Sequence, residues 1–349
     1  MILPTTYLAA MLLLVVSMLC WGSWMNTLKF SGNWRFELYY VDFAMGLALC
    51  SLIAAFTFGS GNSQELTFTD NLLLTGYRQM AWGVGAGIVF NLANILLVGA
   101  MAIAGIAVAM PITVGLALVE SVIWNYLLNP QANPILLFGG TSLVLAAVLV
   151  NAFAYATHFR ERKQAVAQPA KPRGPGPAQP PSPARGIWVS AVGGVLMGMY
   201  YPFVELGKSG ENGISPYGIA LLFAGGVLAS TAFFGPLFMN FPLQGEPVAF
   251  RKYFTGTKKQ HILGIAGGLV WAAGAISNFT AASAPPSVQV GPAVSYALGQ
   301  GATLVSLLWG LLVWKEFSGA GSRVRMLLAG MICLFAVGLA LVAIAPLYR

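Results

Sequence analysis

The chain has 349 residues, of which 57% are hydrophobic and 8% are charged, and its mean hydropathy is +0.75. Soluble proteins carry about 25% charged residues, so this composition excludes a soluble globular protein, a disordered chain and a nucleic-acid-binding protein. The net charge is +8, but the basic residues lie between long apolar runs, where they fit membrane orientation better than phosphate binding.

The apolar runs predict an all-α membrane protein with ten transmembrane helices. A spanning helix needs about 20 apolar residues, so ten helices take roughly 200 residues and leave little for a soluble catalytic domain. The first run begins without Lys or Arg, which favours a retained span over a signal peptide. The predicted spans are 7–28, 38–58, 77–98, 101–127, 134–155, 186–207, 216–240, 261–281, 286–314 and 325–347.

Residues 156–185 interrupt this pattern with seven prolines and six basic residues. Such a composition is typical of a solvated linker. The linker divides the chain into two halves of five spans, 1–155 and 186–349. With an even number of spans, 15 of the 18 basic residues fall on the linker's side of the membrane. The positive-inside rule therefore predicts a cytoplasmic linker and both termini outside.

The two halves show a weak internal similarity. Residues 84–111 align with 265–292 without a gap, at an offset of 181, and Gly22 and Trp24 of the first span match Gly198 and Tyr200 of the sixth. The identical pairs of the longer alignment are Gly87/Gly268, Val89/Val270, Ile95/Ile276, Ala100/Ala281 and Pro111/Pro292. Because each half has an odd number of spans, related halves must be inverted, as in many secondary transporters with a midplane binding site.

Ionisable side chains within spans are functional candidates, because burying them in hydrocarbon is costly. Glu120 lies well inside the fourth span and is interpreted as a proton or substrate site, with a helix-packing hydrogen bond as the alternative. Asp42, one turn into the second span, is the second candidate for proton coupling; a favourable charge at a helix N-terminus is the alternative. Glu205, near the end of the sixth span, is either a gate residue or a surface residue.

Amide and aromatic side chains complete the candidate site. Amides both donate and accept hydrogen bonds, which suits ureido groups, nucleobase edges and sugar hydroxyls, although membrane amides also join helices. Flat rings can stack on a planar ligand, although Trp and Tyr also form interfacial belts. Pro111 and Pro292 are predicted gating positions, since proline frees a carbonyl and bends a helix. The predicted substrate-binding residues are Trp21, Trp24, Asn91, Asn94, Glu120, Tyr200, Tyr201, Asn278, Gln289, Tyr296 and Gln300.

Several motifs resemble those of the plant ureide permeases. They are Trp-Gly-Ser-Trp at 21–24, Tyr-Val-Asp-Phe at 40–43, Ala-Ala-Phe-Thr-Phe-Gly at 54–59, Gly-Ile-Val at 87–89 followed by Asn94, and the segment 309–317. The resemblance implies the drug/metabolite transporter fold, with ten spans in two inverted five-helix repeats, and secondary transport. The ureide permeases have an aspartate in the matching Tyr-x-Asp-aromatic motif, so the resemblance implies a functional role for Asp42. Related bacterial branches transport glucose, ribose or rhamnose.

The sequence thus predicts a secondary active transporter of a small neutral polar metabolite, such as a ureide, nucleobase or sugar. Proton-coupled uptake by alternating access in the plasma (inner) membrane is the preferred form; sodium coupling is left open, and a monomer suffices. The alternatives are a metabolite or drug exporter and a membrane-embedded lipid-modifying enzyme. No phosphate-binding loop, metal cluster or catalytic constellation is visible, so we expect no enzyme activity and no cofactor.

Overall fold

The structure is a computed structural model that describes residues 1–61, 67–166, 183–285, 287–288 and 290–348. Within these residues it is helical and contains no strand. Ten helices are long and apolar enough to cross a membrane, which confirms the predicted all-α fold with ten spans. Spans 1 to 10 are Tyr7–Phe30, Phe36–Thr57, Tyr77–Ala104, Val108–Leu128, Pro134–Arg162, Ala184–Lys208, Pro216–Asn240, Lys258–Ala282, Pro292–Val313 and Ser322–Leu347.

The main differences from the sequence prediction concern four boundaries, one of which is the start of span 4, at Val108 rather than at 101. The helix of span 3 continues to Ala104 and stops at Gly105, whose φ of +82° is the left-handed region that glycine tolerates. The helix of span 5 runs on to Val166, so the first part of 156–185 is helical. Span 9 begins at Pro292 rather than at 286, because the described residues before it, 287–288 and 290–291, are not helical and include a turn at Val288.

Local caps explain several helix starts. Thr257 and Gln260 form a capping box at the start of span 8, and the Ser215 hydroxyl accepts from the Gly218 N–H at the start of span 7. Each cap satisfies backbone N–H groups that a helix start leaves without partners. Two short helices, Phe68–Leu74 and Phe250–Thr255, precede spans 3 and 8.

The two sequence halves do not form two separate bundles. Span 6 packs mainly against spans 3 and 4 of the first half, whereas span 1 packs mainly against spans 8 and 9 of the second half. Spans 2 and 7 lie between these groups, with span 2 against span 8 and span 7 against span 3. We call spans 3, 4 and 6 group A and spans 1, 8 and 9 group B.

Spans 2 and 8, and spans 3 and 7, approach each other at reciprocal glycines. A Cβ added at Gly87 would lie 2.0 Å from the Phe223 carbonyl oxygen, and one added at Gly268 would lie 2.0 Å from that of Phe43. Gly226 and Gly46 show the same close approach, at 2.2 Å from the Val84 oxygen and 2.1 Å from the Ile265 oxygen. Since Gly87 pairs with Gly268, and Val84 with Ile265, in the internal alignment, these contacts are consistent with inverted repeats.

The centre of the bundle holds aromatic rings in a matching arrangement. Phe90 and Trp271 are separated by the same offset of 181 residues, and their ring centroids lie 4.3 Å apart. Phe43 contacts Trp271 at 6.4 Å and Phe223 contacts Phe90 at 5.3 Å. The predicted pair Trp24 and Tyr200 flanks these rings, with Trp24 against Phe43 and Tyr200 against Phe223.

Two adjacent glycines of span 7, Gly225 and Gly226, allow a test of the close approach between spans 3 and 7. Gly226→Ala places a methyl group 2.2 Å from a carbonyl oxygen, so we expect a loss of about 1–3 kcal/mol from overpacking. At Gly225 an added Cβ meets nothing within 4 Å, so Gly225→Ala should equal or exceed the wild-type stability. Thermal unfolding in detergent measures both. Equal melting temperatures for the two variants would contradict the packing argument.

Candidate functional site

A cavity of about 280 Å³ lies in the middle of the bundle and is lined by both groups. Pockets for drug-sized ligands measure roughly 300–1,000 Å³, so this cavity suits a smaller molecule. At one end lie Lys29 and Glu316, whose side chains are 49% and 29% exposed. This end is on the side of the bundle where span 5 ends and span 6 begins, which we call the linker side; the opposite side is the terminal side.

Aromatic rings form the walls at the inner part of the cavity. Trp21 of span 1 stacks on Trp271 of span 8, with ring centroids 5.8 Å apart, and Phe90 of span 3 contacts Trp271 from the other side. Small residues hold the Trp21 indole in place, because a Cβ at Gly299 or at Gly274 would lie within 2.8 Å of its ring atoms. The result is a fixed flat surface from both groups.

Amide side chains face the same space. Asn94 lines the cavity, and its Nδ2 donates to the hydroxyl of Tyr40 at 3.1 Å. Asn151 of span 5 and Gln300 of span 9 also line it. Among the described residues, none is hydrogen-bonded to the Gln300 side chain, and Asn151 Oδ1 is buried without a partner. Unused amide capacity beside an aromatic wall is the chemistry that binds a planar polar ligand.

The mouth of the cavity contains a charged cluster. Lys29 Nζ donates to Glu316 Oε1 at 2.5 Å, and the Tyr155 hydroxyl donates to Glu316 Oε2 at 2.7 Å. Lys29 also lies 5.0 Å from the centre of the Trp314 ring. Trp314 in turn donates from Nε1 to Asn26 Oδ1 at 2.6 Å. The cluster therefore joins spans 1 and 5 to the segment that follows span 9.

The terminal side of the cavity is closed by polar contacts between the two groups. Tyr201 of group A donates to Asn278 Oδ1 of group B at 2.6 Å, and both residues are fully buried. Asn278 Nδ2 donates to the Ser17 hydroxyl at 3.3 Å and to the Ser295 carbonyl oxygen at 3.0 Å. The Tyr296 ring lies against Tyr201, at 5.1 Å between centroids.

The structure brings a part of the predicted site together. Six of the predicted substrate-binding and gating residues line the cavity: Trp21, Trp24, Asn94, Pro111, Tyr296 and Gln300. Tyr201 and Asn278 lie in the terminal-side closure, and Tyr200 packs on Phe90 behind the wall. Asn91 lies between spans 3 and 7, where its Nδ2 donates to Ser230 and Thr231.

The predicted ionisable residues lie away from the cavity. Glu120 packs against Gly198 of span 6, one turn beyond the cavity-lining Ala117. Asp42 is 1% exposed; it accepts from Tyr253 at 2.6 Å and its other oxygen lies 2.9 Å from His261 Nδ1. Glu205 accepts from Lys208 at 2.8 Å, and the two side chains are only 11% and 8% exposed.

The remaining predicted positions are Pro292 and Gln289. Pro292 is buried at the first turn of span 9, where proline fits without breaking a helix, whereas Pro111 lies inside its helix. Gln289 lies outside the described residues.

Sequence reasoning missed several cavity residues. Phe90 and Trp271 are equivalent in the internal alignment, so their meeting could have been expected from it. Asn151 is an amide within a span, which is the same kind of evidence that selected Asn94. Lys29 and Glu316 are 287 residues apart, and no sequence pattern indicates that they form a pair.

Comparisons with known proteins agree with the motifs. A family model described as ureide permease matches residues 39–173. Ureide permease 4 of Arabidopsis thaliana is 22% identical over 96% of both chains. Probable ureide permease A3 of Vigna unguiculata is 30% identical over 32% of this chain and 31% of its own.

A solved crystal structure shares the fold. It matches 96% of this chain and 99% of its own with a TM-score of 0.60, at 17% sequence identity, so the likeness concerns the fold alone. The sequence relatives are permeases, which supports a transporter rather than an enzyme. The predicted resemblance is thus confirmed: the chain is close to the plant ureide permease family.

Proposed function

We propose that this protein is a secondary active transporter that takes up a small neutral polar metabolite, such as a ureide, a nucleobase or a sugar. The observation that carries the proposal is the central cavity, in which a fixed aromatic wall faces the unpartnered amides of Asn151 and Gln300. The permease relatives support a ureide or a related compound as the substrate. A planar ring would stack on Trp21 while its carbonyl and N–H groups pair with the amides.

Ligand binding tests the site directly. A ligand that binds only the folded protein raises its stability by RT ln(1 + [L]/Kd), which is about 2.7 kcal/mol at 100 Kd. We expect a thermal shift with allantoin, uracil or xanthine, and a loss of at least about tenfold in affinity for Gln300→Leu. Asn91→Ala is the control, since that amide bonds to span 7 rather than facing the cavity.

Other results of the same screen would change the proposed substrate, favour export or contradict the proposed site. Shifts with glucose, ribose or rhamnose alone would change the substrate to a sugar. Shifts with cationic drugs alone would contradict uptake of a polar metabolite and favour an exporter, for which the four cavity methionines, Met25, Met101, Met110 and Met197, would supply the apolar lining. No shift with any compound would contradict the proposed site.

We also propose that transport proceeds by alternating access between groups A and B. The cavity is lined by both groups, and the Tyr201–Asn278 hydrogen bond between the groups closes it on the terminal side. Because most basic residues lie on the linker side, this side is assigned to the cytoplasm, and the structure then represents an inward-open state. The moving bodies are groups A and B. They differ from the two sequence halves, because span 6 packs with the first half and span 1 packs with the second half.

The internal alignment indicates which residues close the linker side in the opposite state. Tyr201 corresponds to Met25, one residue after the Trp24/Tyr200 match, and Asn278 corresponds to Leu97 at the offset of 181. Tyr201 and Asn278 are in contact and buried, whereas Met25 and Leu97 both line the open cavity. We therefore propose that Met25 and Leu97 meet when the Tyr201–Asn278 contact opens.

A cross-linking experiment tests these gates. Tyr201→Phe removes the hydroxyl that donates to Asn278, so the closed terminal side should lose stability and the outward-open state should gain population. In a background without Cys20, Cys50 and Cys333, we expect Met25→Cys/Leu97→Cys to cross-link in higher yield when Tyr201→Phe is present. Tyr217→Phe is the matched control, because that hydroxyl donates to the Ile2 carbonyl on the same side. Equal yields in all three proteins would refute the gate assignment.

Glu120 is the proposed site of the coupling proton. It lies one turn beyond the closed end of the cavity, against Gly198, where the outward-open state would expose it. Asp42 is less suited, since Tyr253 and His261 already hold its carboxylate outside the cavity.

Transport in proteoliposomes separates coupling from substrate passage. Glu120→Gln should abolish accumulation driven by an inward proton gradient but keep substrate exchange without a gradient, because only the proton site is lost. Asp42→Asn should still accumulate substrate. Full accumulation by Glu120→Gln would show that this carboxyl does not carry the coupling proton.

A further inference from the structure

The carboxylate of Glu316 fills a site that other spans build. Lys29 of span 1 reaches one oxygen and Tyr155 of span 5 donates to the other, so each oxygen has its own donor. The side chain fits because Gly310 leaves room for it: a Cβ at Gly310 would lie 2.9 Å from Glu316 Oε2. An ammonium and a hydroxyl converging on two oxygens form a receptor for any carboxylate.

The position of Glu316 is fixed by its backbone as well. Its carbonyl oxygen lies 3.0 Å from His158 Nε2, and its N–H donates to the Gly310 carbonyl oxygen at 2.9 Å. Burial alone would raise the pKa of Glu316, but the hydrogen bonds from Lys29 and Tyr155 and the charge of Lys29 lower it below the usual value of 4.5. The carboxylate is therefore ionised at neutral pH and neutralises Lys29.

This pair sets the charge of the whole cavity. Among the described residues that line the cavity, Lys29 and Glu316 are the charged ones, and they cancel. The remaining polar side-chain groups of the lining are amides, hydroxyls and indole N–H groups, all of them neutral. A substrate carboxylate entering this mouth would meet a cation whose partner is already in place, so it would gain no compensation for lost hydration.

We propose that Glu316 makes the transporter selective for neutral substrates by filling, from within the chain, a carboxylate site that Lys29 and Tyr155 form at the cavity mouth. The inference rests on the proposed transport function. Lys29 then does more than add to the positive charge that orients the protein in the membrane. It is an anion-binding group whose site Glu316 occupies.

Two matched ligand pairs test the selectivity: uracil against its carboxylate derivative orotate, and allantoin against its ring-opened carboxylate allantoate. The wild type should bind and transport the neutral member of a pair and exclude the anionic one. In Glu316→Ala the receptor is vacant, and binding and uptake of the anion should rise at least about tenfold, the size expected of a hydrogen-bonded charge pair. Uptake of the neutral member by the same protein shows that the variant is folded.

Two variants check that the gain arises at this site. Lys29→Met combined with Glu316→Ala removes the cation and should abolish the gain. Glu37→Ala deletes a carboxylate on the same side, paired with Arg35 at 2.6 Å, but Glu37 does not line this cavity. The change in net charge is the same as in Glu316→Ala, so a gain of anion uptake by Glu37→Ala would refute the site.

A readout without transport separates the failure of this inference from that of the proposed function. Acetate should raise the melting temperature of Glu316→Ala, but not that of the wild type or of the double variant. If the wild type transports no neutral compound, the transport proposal fails, yet the acetate shift still tests the carboxylate site. A folded Glu316→Ala protein that responds to neither acetate nor the anionic ligands overturns the inference.

If Glu316→Ala does not fold, Glu316→Gln provides the test. Glutamine keeps the size of the side chain and can accept from Tyr155, but it leaves Lys29 without a counter-charge. Orotate or allantoate should then compete with the neutral substrate more strongly than in the wild type. Unchanged competition would overturn the inference in that variant as well.

Discussion

Four glycines allow main chain to touch main chain where spans 2 and 8, and spans 3 and 7, cross. In a bilayer, the lipid tails are as apolar as the side chains, so helices associate through close packing rather than through the hydrophobic effect. Any side chain at Gly46, Gly87, Gly226 or Gly268 would meet a carbonyl oxygen at about 2 Å. The short approach brings Phe43, Phe90, Phe223 and Trp271 into one cluster, from which Phe90 and Trp271 contribute to the wall of the cavity.

Intramembrane amides serve two purposes in this protein, and their position relative to the cavity distinguishes them better than residue type does. Asn91 and Asn278 are fully buried and their Nδ2 groups donate to neighbouring spans, although Asn91 Oδ1 has no partner among the described residues. Gln300 and Asn151 reach the cavity with capacity to spare. The first kind holds helices together, and the second kind leaves an energetic deficit that a polar ligand can remove.

The sequence predicted the number and placement of the spans well, because continuous apolar runs of about 20 residues are a strong signal of a membrane-spanning helix. It also paired Gly87 with Gly268, which meet matching neighbours in the structure. It could not separate Asn91 from Asn94, because both lie on the same face of span 3. Residues three apart on a helix point in directions that differ by about 60°. This difference is enough to direct Asn91 to span 7 and Asn94 to the cavity. The start of span 9 was placed too early, since no charged residue separates it from span 8.

The long-range pairs were beyond sequence reasoning for a different reason. The partners of Glu316 come from spans 1 and 5, and the partners of Asp42 come from a short helix and from the start of span 8. Such contacts depend on which spans are neighbours, and hydropathy carries no information on this. The Asp42 carboxylate thus has a structural setting that its motif alone did not show.

The exchange of spans 1 and 6 between the packing groups affects how the chain is assembled. Span 1 is synthesised before its main packing partners, spans 8 and 9, which lie in the other half of the sequence. Until then, the polar groups of Ser17 and Asn26 in span 1 lack the partners that Asn278 and Trp314 later provide. The packing of the first half therefore depends on contacts with residues far away in the chain, and such non-local contacts form more slowly than local ones.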